Sequence, residues 1–362
     1  MFSNARKILK TLKHYNKFVF YSESRHYQKY YYNFIYLLNQ KNKKIIYASS
    51  DKKDTIDLNN VTNIFIGEGF LRSLFFLLIR TKNFFLTVTD LNNNVLKKNS
   101  YVKNYIYIFH AAVSTHKAYT KSAFENYDTI MCIGNYHVHE ILEVEKKYNL
   151  PKKKLIKSGY FYFDYLLNKV NLNSENKNIL IAPSWNYSEY NFLNNRCKDL
   201  INYLINKNFR IIFRPHPEHF KRSTKILTDI KKKFSNFPNF KFDDDKDNFM
   251  SMDNSFILIT DNSGISIEYL MIYKKPTIFF DEFSKIHNSD YEFLNIELFE
   301  EKIKKKFGYI YLDNELQGFE NKIKEASDQF QFKKEELNNF ISKNIYNFGC
   351  SVANTYSEFK DD

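Results

Sequence analysis

The chain has 362 residues, of which 43% are hydrophobic and 18% aromatic. This apolar content supports about two domains with sizeable cores and excludes a chain that is disordered throughout. The 54 basic and 41 acidic residues leave a formal net charge of +13, which favours anionic partners such as phosphorylated substrates, acidic lipid or nucleic acid.

The cysteines and the first residues bear on where the protein works. Cys132, Cys197 and Cys350 are scattered and form no CxxC pair, which indicates a reducing compartment and predicts neither a disulfide framework nor a metal site. The basic residues 1–17 are followed by no apolar segment of a secretory signal. The longest uncharged apolar run, 74–79, is far too short to span a bilayer. We therefore expect a cytoplasmic protein, or one held peripherally on a membrane surface by its basic, amphipathic start.

In chain order, short apolar runs alternate with amphipathic stretches. The first half predicts strands over 18–21, 44–48, 63–66, 83–88, 105–109 and 129–133, and helices over 27–39, 70–80 and 136–148. The polar segment 168–178 predicts a linker, after which the pattern restarts. The second half predicts strands over 179–182, 210–213, 240–242, 256–260 and 277–280, helices over 192–206, 223–234 and 265–272, and a charged, mostly helical end from residue 314.

Short strands separated by helices predict βα units and parallel sheets, so we expect an α/β fold with two Rossmann-like, doubly wound domains. The predicted domains are residues 1–170 and 171–340, followed by a helical tail at 341–362. We expect the carboxyl ends of the two sheets to face each other across a cleft, because ligands bind at such ends.

The clearest chemical signal is the turn Asp261-Asn262-Ser263-Gly264, which lies between a predicted strand and a predicted helix. Free N–H groups and the positive end of the helix dipole suit a phosphate there, and Glu268 lies about one turn further, where it would accept from ribose hydroxyls. The alternative is a plain helix cap without a ligand.

A second segment, Arg214-Pro-His216-Pro, follows the strand at 210–213. The two prolines fix the backbone, arginine suits bidentate phosphate binding, and histidine suits phosphate contact or proton transfer. The alternative is a surface turn with a salt-bridged arginine.

A third segment ends the strand at 105–109 with His110, followed by small residues. We expect His110 to face His216 across the cleft and to act as a base; the alternative is a buried structural histidine. His116 and Lys117 are weaker candidates, and His137 and His139, at a helix start, are expected to be solvated. A fourth segment, Ala182-Pro-Ser184-Trp185, contributes to the cleft floor.

The order of His110, then residues 182–185, 214–217 and 260–264, resembles the CDP-glycerol glycerophosphotransferase family, which includes teichoic-acid primases and polymerases. The resemblance covers residues 100–285 well. It implies a GT-B fold with an acceptor-side first domain and a donor-side second domain, metal-independent transfer without a cofactor, and peripheral attachment to the inner membrane face.

The resemblance also implies roles for individual residues. It makes His110 and His216 catalytic and places the donor nucleotide at the second domain. Donor phosphate is assigned to Arg214, Asn262, Ser263 and Gly264, and the nucleotide to Glu268 and Ser184. The turn at 262–264 is also similar to that of nucleotide-sugar epimerases.

We therefore predict a transferase that moves a phospho-polyol from a CDP-activated donor to a cell-surface polysaccharide or lipid-linked acceptor, in teichoic-acid-like or capsule synthesis. One alternative is a nucleotide-sugar glycosyltransferase or a UDP-sugar 2-epimerase-like enzyme. The other is a non-catalytic, basic anion-binding protein. Nucleic acid is not an expected partner, since the basic runs form no single arm and no RNA-binding motif appears.

Overall fold

A computed structural model describes residues 2–89, 91–93, 96–170, 177–245, 247–283, 286 and 288–362. The chain divides into two compact units. The first comprises residues 1–168, 287–296 and 342–362, and the second comprises 169–286 and 297–341. Residues 342–362 thus belong to the first unit, although the sequence set 341–362 apart as a tail. Of the predicted linker, residues 171–176 lie outside the described residues.

In the part of the first unit that the structure describes, seven parallel strands form one sheet. In chain order they are β1 (Asn16–Ser22), β2 (Ile45–Ser49), β3 (Val61–Phe65), β4 (Thr81–Leu86), β5 (Val102–Ile108), β6 (Thr129–Cys132) and β7 (Lys154–Lys157). The order across the sheet is β3-β2-β1-β4-β5-β6-β7.

Helices cover the sheet and bury its apolar strands, as a parallel sheet requires. They are α1 (Phe2–Lys13), α2 (Tyr32–Gln40), α3 (Phe70–Leu78), α4 (Thr115–Ala118), α5 (Asn135–Tyr148) and α6 (Phe161–Leu167). In the core, the rings of Phe20 and Phe85 stack with their centroids 4.4 Å apart. Both rings are fully buried, so neighbouring strands are joined by packing as well as by hydrogen bonds.

The described residues of the second unit form a six-stranded sheet, again parallel throughout. Its strands are β8 (Asn178–Ile181), β9 (Arg210–Phe213), β10 (Phe240–Phe242), β11 (Ser255–Thr260), β12 (Thr277–Phe280) and β13 (Tyr309–Tyr311), in the order β10-β9-β8-β11-β12-β13.

The helices of the second half alternate with the strands up to β13, after which the chain is mostly helical. They are α7 (Lys198–Asn206), α8 (His219–Arg222), α9 (Thr224–Phe234), α10 (Phe249–Asp253), α11 (Ile265–Glu268), α12 (Phe299–Phe307), α13 (Phe319–Gln329) and α14 (Lys334–Asn344). The short α11 continues as a π-helical turn, Tyr269–Tyr273, and α15 (Ser351–Tyr356) lies in the first unit.

The structure confirms the α/β class and two parallel sheets. Each predicted strand is present, although β1, β3 and β4 begin two residues earlier than predicted and β5 begins three residues earlier. Neither β7 nor β13 was predicted; they are edge strands of four and three residues. Such short segments carry too few residues for a periodic pattern.

The strand order reverses direction at one point in each sheet, between β1 and β4 in the first and between β8 and β11 in the second. The loops that leave the carboxyl ends of such strands run to opposite faces and leave a crevice, where open α/β sheets bind their ligands. The predicted site residues follow β5 in the first unit and β8, β9 and β11 in the second.

Candidate active site

His110 lies two residues beyond the end of β5, and tyrosine rings surround it. The centroid of its imidazole lies 5.4 Å from that of Tyr27, 6.1 Å from Tyr30 and 6.4 Å from Tyr119. Burial lowers the pKa of His110 to about 4, and the backbone of Thr87 offsets this only in part. The ring is therefore neutral at pH 7 and has a nitrogen lone pair that can accept a proton.

The other histidines of this region differ in their exposure. The sequence predicted a solvated His137, but this ring is fully buried. Its Nδ1 accepts from the N–H of Ile133 at 3.3 Å, and its Nε2 donates to the carbonyl of Val113 at 3.0 Å. His116 is buried as well, with Nδ1 3.5 Å from the carboxylate of Glu140. His139 is exposed, as predicted.

In the second unit, Arg214 and His216 follow β9 directly. The guanidinium of Arg214 forms an ion pair with Asp243 and donates to the carbonyl of Asp245 at 2.8 Å. Asp243 is buried, which by itself raises its pKa, but Arg214 and the hydroxyl of Ser251 hold that pKa below its usual value. Arg214 is therefore the salt-bridged arginine of the alternative interpretation, and a phosphate would have to share it.

His216 has a defined tautomer. Its Nδ1 accepts from the backbone N–H of Glu218 at 3.2 Å, so Nε2 carries the hydrogen of the neutral ring. Pro215 and Pro217 restrict the backbone on either side. A ring held in this way presents a donor, which suits contact with a phosphate oxygen.

The turn after β11 is held by its own aspartate. Asp261 is buried and accepts from the N–H of Ser184 at 2.7 Å and from its hydroxyl at 2.6 Å. Since β8 and β11 are neighbours, this pair joins the two loops at the point where the strand order reverses. Ser184 therefore supports the crevice, and its hydroxyl is occupied by Asp261.

Asn262 is also tied into the protein. Its side-chain amide donates to the carbonyl of Phe283, and its carbonyl oxygen accepts from Lys304 at 3.3 Å. Lys304 is buried and lies 2.8 Å from Glu301. The predicted phosphate contact of Asn262 would have to compete with these partners.

Ser263 and Gly264 lead into α11. The first hydrogen bond of this turn runs from the N–H of Ser266 to the carbonyl of Ser263, at 3.1 Å. The N–H groups of Ser263, Gly264 and Ile265 precede that bond and are not used within it, which is the arrangement expected at an anion-binding turn. Glu268 is buried in the same helix and accepts from the side chain of Asn248 at 3.3 Å.

The structure thus brings the predicted residues of the second unit to three neighbouring strand ends, those of β9, β8 and β11. His110 lies at the carboxyl edge of the other sheet. The expectation that His110 and His216 face one cleft stays a prediction, as do the individual site roles.

Sequence reasoning gave no role to Asp243, Asp261 or His219. His219 is fully buried, with Nε2 3.1 Å from the carbonyl of Ser184 and Nδ1 3.3 Å from the hydroxyl of Ser223. Asp261 had a usable signal, since it follows an apolar strand directly. Asp243 pairs with a residue 29 positions away, which no local pattern indicates.

A cavity of about 520 Å³, counted with its open mouth, lies elsewhere in the first unit. Its lining includes His116, Tyr119, Phe124, Glu145 and Lys153, and it runs beside α5. Of the predicted candidates, only the weaker one, His116, lines this cavity.

Two absences concern the described residues only. Within them, no group of three or more His, Cys, Asp or Glu side chains is arranged to hold a metal ion. None of their helices combines the length and the apolar character needed to cross a membrane.

The sequence model of the family described as CDP-Glycerol:Poly(glycerophosphate) glycerophosphotransferase matches residues 10–292, more than three quarters of the chain. The chain belongs to this family. The predicted enzyme class is thereby confirmed: the protein is a CDP-glycerol glycerophosphotransferase-like enzyme. No curated protein sequence matches this glycerophosphotransferase.

Solved structures agree on the fold. The wall teichoic acid polymerase TagF is 15% identical, with a TM-score of 0.65, over 98% of this chain and 96% of that one. The UDP-GlcNAc 2-epimerase of Methanocaldococcus jannaschii, in complex with UDP-GlcNAc and UDP, is 12% identical, with a TM-score of 0.59, over 96% of this chain and 100% of that one. The UDP-GlcNAc 2-epimerase of Neisseria meningitidis, bound to UDP-GlcNAc, is 11% identical with the same TM-score and coverage. The glycerophosphotransferase therefore has the predicted GT-B-type fold of two Rossmann-like parallel sheets.

Proposed function

We propose that this glycerophosphotransferase moves a glycerol-phosphate-type group from a CDP-activated donor to a hydroxyl of a cell-surface polysaccharide or lipid-linked acceptor. His110 acts as the base and His216 as a donor to phosphate. The turn at Ser263 and Gly264 binds the pyrophosphate, assisted by Arg214 and Asn262. The nucleotide lies near Glu268 and Ser184.

The proposed step is an in-line displacement at phosphorus. The acceptor oxygen attacks the phosphorus that carries glycerol, and the acceptor proton passes to the neutral ring of His110. A new P–O bond forms while the bond from that phosphorus to the CMP oxygen breaks, and CMP leaves with the electron pair. The Nε2–H of His216 and the N–H groups of the turn stabilise the charge that develops on the leaving phosphate.

The observation that carries this proposal is the convergence at the strand ends of the second unit. The N–H groups of the 263–266 turn follow β11, and the donor nitrogen of His216 follows β9. Only β8 lies between these two strands in the sheet. The neutral state of His110 supports the base role, because a protonated ring has no lone pair to use.

The proposal is tested by steady-state transfer from CDP-glycerol with His110→Ala and His216→Ala. We expect His110→Ala to lower kcat by about 10²–10⁴-fold with CMP binding unchanged, since a general base contributes about that much. We expect His216→Ala to lower kcat too and, unlike His110→Ala, to weaken CMP binding. His139→Ala, an exposed histidine of the first unit, is the matched control. Turnover of His110→Ala within twofold of wild type would refute the base role.

One alternative keeps the phosphate site but places the attack on a sugar carbon. It is favoured by the likeness of the fold to epimerases that bind UDP-GlcNAc. Product analysis with CDP-glycerol, CDP-ribitol and UDP- or CMP-sugars separates the two, because only the first two donors yield a phosphodiester and CMP.

We expect transfer in the presence of a chelator to be as fast as in its absence, since the proposed step uses no metal and no cofactor.

We also propose that the protein docks on an anionic membrane surface through α1 and α3. The two helices are in contact, and their exposed side chains are both apolar and basic. Leu9 is 61% exposed and Phe70 is 81% exposed, while Lys7, Lys10 and Lys13 are exposed on α1. Apolar insertion combined with lysines near acidic headgroups is how interfacial helices bind.

Flotation with vesicles tests the docking surface. We expect binding to vesicles with anionic phosphatidylglycerol, weaker binding to phosphatidylcholine alone, and loss of binding in Lys7→Glu/Lys10→Glu and in Phe70→Ser. Phe332→Ser removes a phenylalanine that is 80% exposed in the second unit and is the control. Equal binding by Phe70→Ser and wild type would exclude this surface.

A further inference from the structure

The loop that leaves His110 is held by one face of α5. The hydroxyl of Tyr136 donates to the carbonyl of Ala112 at 2.8 Å. The Nε2 of His137 donates to the carbonyl of Val113 at 3.0 Å. The carboxylate of Glu140 accepts from the N–H of Thr115 at 2.5 Å and from its hydroxyl at 2.7 Å. We call Tyr136, His137 and Glu140 the α5 clamp.

Each member of the α5 clamp is fixed by a second contact or by its place in the helix. His137 accepts from the N–H of Ile133 at its other nitrogen, so its tautomer is set and Nε2 must donate. Tyr136 and Glu140 are four residues apart and therefore lie on one side of the helix. The carbonyls of Ala112 and Val113 therefore accept from donors whose positions are fixed, and the N–H of Thr115 donates to an acceptor whose position is fixed.

The side chain of Glu140 is fully buried, with an exposed fraction of 0%. Burying a carboxylate costs free energy, because its charged form loses hydration. Burial by itself raises the pKa of this carboxyl, but His116, His137 and Thr115 together hold the pKa below its usual value. If the position served packing alone, an apolar side chain would fill it at no such cost. The carboxylate instead fixes the loop at Thr115, five residues beyond His110.

We propose that Tyr136, His137 and Glu140 are positioning residues of the transfer reaction, which act by holding loop 111–115 and thereby the ring of His110. The inference rests on the proposed role of His110 as base. A base must lie within about 3 Å of the proton it takes, and a displacement of about 1 Å can reduce the rate about 10²-fold. A loop bonded at three successive points restricts such displacement.

The kinetic test uses Glu140→Gln, with Glu143→Gln on the same helix as the matched control for loss of one carboxylate. Glu140→Gln keeps the shape of the side chain but not its charge. We expect kcat per folded enzyme to fall about 10–100-fold with the KM for CDP-glycerol unchanged. Tyr136→Phe removes one hydroxyl and provides a second variant should Glu140→Gln unfold. We expect a smaller fall in kcat for it.

The decisive arm repeats Glu140→Gln in a His110→Ala background. If Glu140 acts through His110, the second substitution leaves the residual rate unchanged; a purely structural role would lower it again by the same factor. That repeated fall, or a Glu140→Gln enzyme as active as Glu143→Gln, would overturn the proposal.

A second readout separates this inference from the proposed function. The ring of His110 is followed by NMR in protein with ¹³C-labelled histidine, its signal being assigned as the one missing in His110→Ala. We expect Glu140→Gln and Tyr136→Phe to shift this signal and to raise the pH at which it titrates, because a looser loop admits water. An unchanged signal overturns the positioning role even if His110 is the base. A changed signal together with an active His110→Ala enzyme would show that the loop holds the ring but that the base role itself fails.

Discussion

At the scale of single residues, burial determines which charge state His110 and His137 can use. His110 and His137 both have a pKa lowered to about 4, mainly because a charged imidazole loses its hydration when it is buried. For His110 the neutral state serves proton acceptance. For His137 it fixes which nitrogen donates to the loop. The same physical effect therefore supports a chemical role in one ring and a holding role in the other.

These two histidines predict a loss of stability in acid. Their pKa is about 4 in the folded chain, against the usual 6.5, so the unfolded chain binds more protons between those values. The free energy of unfolding therefore falls as pH drops from 6.5 towards 4, by up to about 1.4 kcal/mol per pH unit for each histidine. Urea unfolding at several pH values measures the slope. The dependence of the free energy of unfolding on pH should be shallower in His110→Asn than in His139→Asn. Equal slopes in the two variants would contradict this expectation.

Arg214 shows how a sequence motif can be located correctly while its partner stays hidden. The strand and the two prolines predicted where the arginine lies, and the structure agrees. The sequence could not show that Asp243, which follows the next strand in the sheet, pairs with it, because strand order is a property of the folded sheet.

Removing this partner should destabilise the second unit. The side chains of Asp243 and Arg214 are only 4% and 10% exposed, so Asp243→Ala leaves a buried, unpaired cation. Such a loss costs about 3–5 kcal/mol, whereas an exposed pair contributes less than about 1 kcal/mol. Asp244→Ala, which breaks only the exposed pair with Lys231, is the control in urea unfolding. Similar stabilities of the two variants would show that the Arg214 pair is not energetically important.

At the scale of elements, two glycines allow the C-terminal segment to approach the first sheet. Gly134 forms an antiparallel bridge with Ile345, and a Cβ there would lie 2.1 Å from the carbonyl oxygen of Asn344. Gly159 has φ +82°, and a Cβ there would lie 2.3 Å from the carbonyl oxygen of Tyr346. The sequence predicted the strand before Gly134 but not β7, which precedes Gly159, and a glycine alone does not reveal which distant backbone approaches it.

The close approach at Gly159 can be separated from its positive φ. Gly349, in the same unit, has φ +80°, but its nearest contact for a Cβ is a leucine methyl at 3.4 Å. Gly349→Ala should cost about 1–2 kcal/mol for the left-handed backbone alone. Gly159→Ala adds a clash with backbone, so its free energy of unfolding should be clearly lower. Equal losses in thermal or urea unfolding would mean that the segment moves away without cost.

At the scale of the whole molecule, two series of βα units are visible in the sequence and predicted two parallel sheets, since hydrophobic periodicity is a local property. The membership of the last residues was not predictable. The sequence of α15, SVANTY, does not state which of the two sheets the helix packs against. The structure places it on the first unit, where Val352 donates its N–H to Asp164 at 2.9 Å.

The most buried hydrophobic residue of this segment is Phe359, which is 3% exposed. Its ring centroid lies 5.7 Å from that of Phe34 on α2 and 5.4 Å from that of Phe85 on β4, inside the core of the first sheet. Phe359→Ala should lower the stability of the first unit by about 3–5 kcal/mol, because it leaves a cavity among packed rings. Phe332→Ala, at a ring that is 80% exposed, should change stability little.

Amide hydrogen exchange locates the loss. If residues 342–362 complete the first core, Phe359→Ala should speed exchange in β1, β4 and α2, and leave the amides of β8, β9 and β11 as slow as in Phe332→Ala. Faster exchange confined to α15 would mean that the first sheet is stable without this segment. Faster exchange in both sheets would mean that they unfold together, because the loss of one core would then be shared by every amide of the chain.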